Sequence, residues 1–156
     1  MMNKQRTGFE FLACRYAIGF LQSGEFIDFD EFIQRSSLAR LSGNKALRNP
    51  KLSFEQCLEK LDIPDRSVKS TKLIEHNAQF LIECLALPVE SIQLVTFILV
   101  LNVHAPFRNF MSNIEVNDLH DQIELILCEQ LLIDVDKARE VLKTLFNFGL
   151  IRDFNL

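Results

Sequence analysis

The sequence predicts an all-α, mainly helical fold with a small β component. Apolar residues recur at helical spacing along most of the chain, and helix start and stop signals separate the periodic stretches. Alternation long enough for a short strand occurs at 114–116, and a second short apolar stretch follows Gly149.

The first predicted helix covers residues 7–23. Phe9, Leu12, Tyr16 and Phe20 form one stripe and Phe11, Cys14, Ile18 and Leu21 a second, so burial on two sides is expected before Gly24 closes it. A second helix starts near Asp28 or Asp30, each suited to an N-cap. It carries Phe32, Ile33 and Leu41 inward and stops at Gly43. The pattern loosens over residues 44–72. There "SFEQ" at Ser53 to Gln56 is a capping box opening a short helix that ends near Leu61, and "DIPD" is a turn signal. This stretch divides an N-terminal helical region, 1–66, from a winged-helix-like region, 67–156, although the two can share one core.

Beyond it, a helix over 71–85 places Leu73, Asn77, Phe80, Leu81 and Cys84 on one stripe, with Asn77 expected to bond a nearby backbone group. Pro88 opens the next helix, which runs to about Val103. Its apolar run, "LVTFILVL" at 94–101, is short of the roughly 20 residues that cross a bilayer, and is expected to be the buried central helix of a soluble domain. A connecting segment with Pro106, Phe107, Phe110 and Met111 leads to the first short strand, Ile114 and Val116 flanking Glu115. A helix over 118–131 buries Leu119, Ile123, Ile126 and Leu127. After a three-residue turn, a helix over 134–147 buries Ala138, Val141, Leu142 and Leu145, stops at Gly149, and gives way to a second strand over 150–154. Helix, strand, helix, turn, helix, strand is the order of a winged helix-turn-helix truncated before its last strand. The expectation is that the natural polypeptide continues past Leu156.

Composition narrows the function classes. Fourteen Phe against one Tyr and no Trp points to aromatics used for filling a core. Cys14, Cys57, Cys84 and Cys128 stand far apart among apolar residues, as free buried thiols of a reducing cytoplasm would. Lys4 and Arg6 precede no signal-peptide pattern. Nucleic-acid binding through the helix pair meets an electrostatic objection: Glu115, Asp118, Asp121, Glu124, Glu129, Asp134 and Asp136 populate it, and Lys and Arg are absent between Ser112 and Asp136. Positive charge gathers instead at Arg35, Arg40, Lys45, Arg48 and Lys51. That stretch is either an anion, nucleic-acid or acidic-partner contact or a solvated loop facing the acidic half of the same protein.

No phosphate-binding glycine loop, nucleophile elbow or zinc-protease motif occurs, and "LSGNKAL" at 41–47 lacks the residues of a nucleotide site. His120, Glu124 and Cys128 share one helix face, but a single stripe is a weak metal signal; no metal or cofactor is expected. His76 and His104 read as surface or helix-end histidines.

From Asn77 to Leu150 the chain resembles the non-catalytic region that precedes the motor in certain bacterial AAA-type ATPases. The similar stretches are "NAQFLIECLALPVESIQLVTFILVL" and "HDQIELILCEQLLIDVDKAREVLKTLFNFGLI". Leu85-Ala86-Leu87-Pro88 stands for a Leu-Gly-Leu-Ser-like turn, Glu90 for a following Glu, and Gly149-Leu150-Ile151 for the close. Ala86 and Pro88 depart from the usual glycine and serine. The resemblance implies a cytoplasmic, non-enzymatic accessory domain that recruits or positions protein partners. Hydrolysis would reside in a domain downstream, and any self-assembly would run through the parent ATPase. Contacts are then expected on the exposed face of the last helix, at Lys137, Arg139, Glu140 and Lys143, and on the basic stretch at Arg40, Lys45 and Arg48. The alternative is a winged-helix DNA-binding transcriptional regulator using that basic stretch.

Overall fold

The computed structural model describes residues 6–23, 35–115, 125 and 127–152; helices take 79% of these, with no strand among them. In chain order the α-helices are α1 (Arg6–Ser23), α2 (Arg35–Ser42), α3 (Phe54–Leu61), α4 (Val68–Leu85), α5 (Ile92–Val103), α6 (Ala105–Glu115) and α7 (Val135–Asn147). Short 3-10 turns at Lys45–Arg48 and Val89–Ser91 follow α2 and precede α5, and residues 127–130 are helical ahead of α7. The second predicted helix is described from Arg35 on; Asp28, Asp30, Phe32 and Ile33 lie outside the described residues. So do Leu119, Ile123 and Ile126 of the helix expected over 118–131.

Helix α1 is the axis of the bundle and packs against α2, α3, α4 and α5. Its two predicted stripes are half-buried or buried, and Ala13 and Ala17 between them are at 0% exposure. Small side chains at the centre let neighbouring backbones come close. Gly8 is the extreme case: a Cβ there would lie 2.8 Å from the Thr71 backbone nitrogen of α4. The buried side chains before and after residue 66 belong to one cluster, from Phe20, Leu38 and Leu61 to Phe97, Phe110 and Leu142.

That close approach bears on which side of α4 is inside, and the predicted stripe lies on the other one. The face turned to the core is Thr71, Ile74, Ala78 and Ile82. Leu73 and Phe80 are 51% and 59% exposed, Asn77 and Cys84 are exposed, and Leu81 is half-buried. The stripe of large residues that the sequence shows is therefore the outer side of α4, and a second set, Thr71, Ile74, Ala78 and Ile82, is the inner one. All four cysteines are free thiols, three of them buried and Cys84 exposed. Asn77 makes no hydrogen bond to a nearby backbone group among the described residues.

Helix α5 is buried on nearly every side, with Leu94, Val95, Thr96, Phe97, Ile98 and Val100 inside. The Thr96 hydroxyl donates to the Ile92 carbonyl at 2.7 Å, so this polar group is satisfied within its own helix. At His104 the chain turns by 104° into α6. The His104 N–H closes α5 onto the Val100 carbonyl, and its carbonyl accepts from Phe107 and Arg108 to open α6, which makes it a helix-end histidine as expected. The segment read as a connector is thus a helix, with Pro106 in its first turn, where no internal amide is required. Asn113, Ile114 and Glu115 continue that helix and form no strand. The Asn113 side-chain amide donates to the Ser37 hydroxyl at 3.1 Å, tying α6 to α2. No single helix among the described residues is long and apolar enough to cross a membrane.

Helix α7 follows its prediction, burying Ala138, Val141, Leu142 and Leu145. Its end explains why no strand forms over 150–152. Gly149, at φ +73°, donates to the Phe146 carbonyl, and Leu150 donates to the Leu145 carbonyl at 2.9 Å. This is a Schellman closure, and it occupies the amide that a ladder would need. The same pair of bonds closes α4 at Ala86 (φ 51°), with Leu87 donating to Ile82. It also closes the turn before α7 at Leu132 (φ 55°), with Ile133 donating to Cys128. Glycine is the residue suited to this conformation, and only the last of these three caps has it. Ala86→Gly and Leu132→Gly are each expected to raise unfolding free energy by about 0.5–1 kcal/mol in urea titrations, and Gly149→Ala to lower it by about 1 kcal/mol.

Candidate interaction surfaces

The residues expected to make contacts fall on two separate parts of the fold. Arg40, Lys45 and Arg48 lie on α2 and the turn after it, all exposed. Asn44 caps that turn, its side-chain oxygen accepting from Ala46 at 3.0 Å, so the turn presents Lys45 and Arg48 from a fixed backbone. Arg35 belongs to the same basic stretch in sequence but serves the fold. Its guanidinium donates to the Asn49 carbonyl at 2.8 Å, the Leu52 carbonyl at 2.9 Å and the Cys57 sulfur at 3.6 Å, clasping the loop between α2 and α3. Its distance in sequence from these acceptors hid that role.

On α7, a rotation of about 100° per residue separates the four candidates. Arg139 and Lys143 share an edge with Phe146, Glu140 lies on the outermost line, and Lys137 occupies the opposite edge. All four are exposed. Lys137 Nζ is 3.7 Å from Glu90 Oε1 in the turn before α5. The Glu90 carboxyl titrates below the ordinary carboxylate range, chiefly through a backbone hydrogen bond and then through Lys137. Past the helix end, Phe148 and Leu150 are 64% and 44% exposed, and Leu150 falls in the stretch that the sequence reading assigned to a strand.

A cavity of about 320 Å³ adjoins the basic turn, lined by Glu10, Ser42, Gly43, Asn44, Lys45, Ile63, Pro64 and Arg66. Burial raises the Glu10 carboxyl above its ordinary value, and the Arg66 charge partly opposes this. Sequence reading missed both residues because they come from different elements. Nearby on α1, Cys14 is pushed up to about 12 by burial and then by Glu10, so it stays a neutral thiol; its sulfur contacts the Leu41 carbonyl at 3.8 Å. Of the weighed metal stripe, His120 and Glu124 lie outside the described residues, and Cys128 is buried. Among the described residues no cluster of His, Cys, Asp or Glu is arranged to hold a metal ion.

Comparison of the chain with protein-family models, curated proteins and solved structures gives no significant match. The functional reading therefore rests on the surfaces themselves and on the resemblance of residues 77–150.

Arg35→Ala should lower unfolding free energy by about 1.5–3 kcal/mol, since two carbonyls lose a charged donor, and Arg35→Lys should restore less than half. Both are read from urea midpoints. For Glu10 the folded state holds its proton more tightly, so its contribution to stability declines as pH rises above the ordinary carboxylate range. Glu10→Gln should therefore be more stable than the parent near pH 7. That difference should shrink toward pH 4 in thermal melts at both pH values.

Proposed function

We propose that this chain is a non-enzymatic protein-interaction domain of the kind that precedes the motor in bacterial AAA-type ATPases, recruiting or positioning protein partners for it. The observation that carries the interaction reading is the end of α7. There Arg139, Lys143, Phe146, Phe148 and Leu150 combine charge with exposed aromatic and aliphatic surface. Aromatic residues and arginine are enriched where proteins meet, and Phe148 and Leu150 would be wasteful as a solvated helix end.

The family part of the reading is supported by two physical coincidences. Ala86, in place of the resembled family's glycine, has φ 51°, the conformation for which glycine is suited. Glu90, in place of the family's Glu, reaches Lys137 on α7 and so has a docking task between the two resembled stretches. The wing of a winged helix-turn-helix is not needed for this role, and a pair of helices joined by the turn at 131–134 suffices. The exposed α7 face carries Asp136 and Glu140 among its cations, and Glu129 and Asp134 precede them, a mixed field poorly suited to phosphate.

Two measurements test the proposal. Reading the gene past the codon for Leu156 should reveal an open frame that reaches a phosphate-loop motif. A stop codon directly after Leu156 would overturn the accessory-domain reading. Titration of the chain with a labelled DNA duplex at low salt should show no saturable binding. Tight binding that falls steeply with added salt would replace the proposal with the DNA-binding regulator.

A further inference from the structure

The cavity beside the basic turn brings three charged side chains together without joining them. Glu10 comes from α1, Lys45 from the turn after α2, and Arg66 from the loop before α4. Glu10 is half-buried, and Lys45 and Arg66 are exposed. Among the described residues the three side chains make no hydrogen bond or ion pair. Arg66 acts on the Glu10 carboxyl only through its field, which is outweighed by the effect of burial. Gly43 also lines the cavity and leaves that carboxyl uncovered, since a Cβ there would touch Glu10 Oε1 at 3.4 Å. Ile63 and Pro64 add an apolar wall. Charges of both signs share one cavity here, and none is bound to another, unlike Lys137 and Glu90.

We propose that this cavity binds a free amino acid, its ammonium on Glu10, its carboxylate on Lys45 and Arg66, and an aliphatic side chain against Ile63 and Pro64. A simple anion would face the Glu10 carboxylate, and a simple cation would face Lys45 and Arg66. A ligand carrying both signs meets all three groups. In a free amino acid the two signs sit on one carbon, whereas in a peptide the length of the chain separates them, so the match is to the free molecule. Size agrees, because a cavity of about 320 Å³ stands at the small end of ligand sites. An ammonium at Glu10 also offsets the burial that raises its carboxyl. Both cations are exposed and screened by water, so affinity is low, with a dissociation constant on the order of 1 mM. The site shares no residue with the α7 surface and is tested independently of it.

The test is a titration of the nitrogen-15-labelled full chain with L-leucine, followed by amide chemical shifts at pH 7. The Gly43, Lys45 and Arg66 amides should shift and saturate by about 20 mM. Two analogues each remove one sign. 4-Methylpentanoate lacks the ammonium and isoamylamine lacks the carboxylate, and each should bind at least about fivefold more weakly than L-leucine. Glu10→Gln should weaken L-leucine by about fivefold or more and leave 4-methylpentanoate no weaker than in the parent. Lys45→Ala and Arg66→Ala, both at exposed positions, should each weaken L-leucine by about threefold or more and leave isoamylamine no weaker. Urea midpoints of the variants report that the fold is intact. The proposal is overturned if those three amides do not move by about 20 mM L-leucine. It is also overturned if either analogue binds as tightly as L-leucine, or if Glu10→Gln binds L-leucine as the parent does.

Discussion

The arrangement of the bundle depends on a cluster of four aromatic rings. Tyr16 of α1 meets Phe97 of α5 edge-on at 5.3 Å and stacks on Phe107 of α6 at 6.1 Å; Phe97 and Phe107 meet edge-on at 5.5 Å. Phe110 extends the group one turn along α6, stacked on Phe107 at 6.3 Å. Each such pair is worth about 0.5–1.5 kcal/mol beyond its burial. Their importance is also geometric, since they hold three helices around the sharp bend at His104. Without that bend α5 and α6 would form one long apolar rod with too little partner surface for Phe107, Phe110 and Met111. Tyr16 is held in its phenol form, its titration raised by burial and then by the Glu75 charge.

Apolar burial, rather than ion pairing, fixes the last helix to this frame. Val141, Leu142 and Leu145 are each worth about 1.5–3 kcal/mol when buried. The Lys137–Glu90 pair, with both side chains half exposed, is screened by water and contributes little. Glu90 and Lys137 therefore orient α7 more than they hold it. The Arg35 clasp is different in kind, because its carbonyl acceptors would lose a charged donor that the apolar anchors of the loop between α2 and α3, Leu47 and Leu52, cannot replace.

Legibility of the sequence followed the strength of the local chemistry. The capping box at Ser53 and Gln56 is present in both directions, Ser53 Oγ accepting from Gln56 and Gln56 Oε1 from Ser53. The four buried residues of α7 and the stop at Gly149 were equally readable, because one clean stripe and one glycine admit a single solution. Failure came where two answers were locally consistent. Helix α4 has apolar residues on two sides, and the tie was broken by Gly8 and Ala78, whose smallness registers in no hydrophobic pattern. Residues 114–116 alternate like a strand, yet Ile114 and Glu115 complete a helix begun at Ala105, and Val116 lies outside the described residues. On the candidate surfaces, charge was visible in sequence, but the division of Lys137 from Arg139 and Lys143 required the helix, and the pairing of Lys45 with Arg66 around Glu10 required the fold.

The same competition accounts for the exposed apolar surface. The chain spends its large aromatics around α5 and α6, while at Gly8 the backbone of α1 comes close to Thr71 of α4 and Ile74, Ala78 and Ile82 fill the rest of α4's inner face. Close backbone approach between α1 and α4 leaves no room inside for Leu73 and Phe80, which must then face outward on α4. Moving them inside would require rotating α4 by roughly a quarter-turn or more. That rotation would lift Thr71, with its hydroxyl bonded to Asp65 at 3.2 Å, out of its site and drive larger side chains against Gly8. An outward apolar line on α4 is thus a direct consequence of the tightest contact in the bundle.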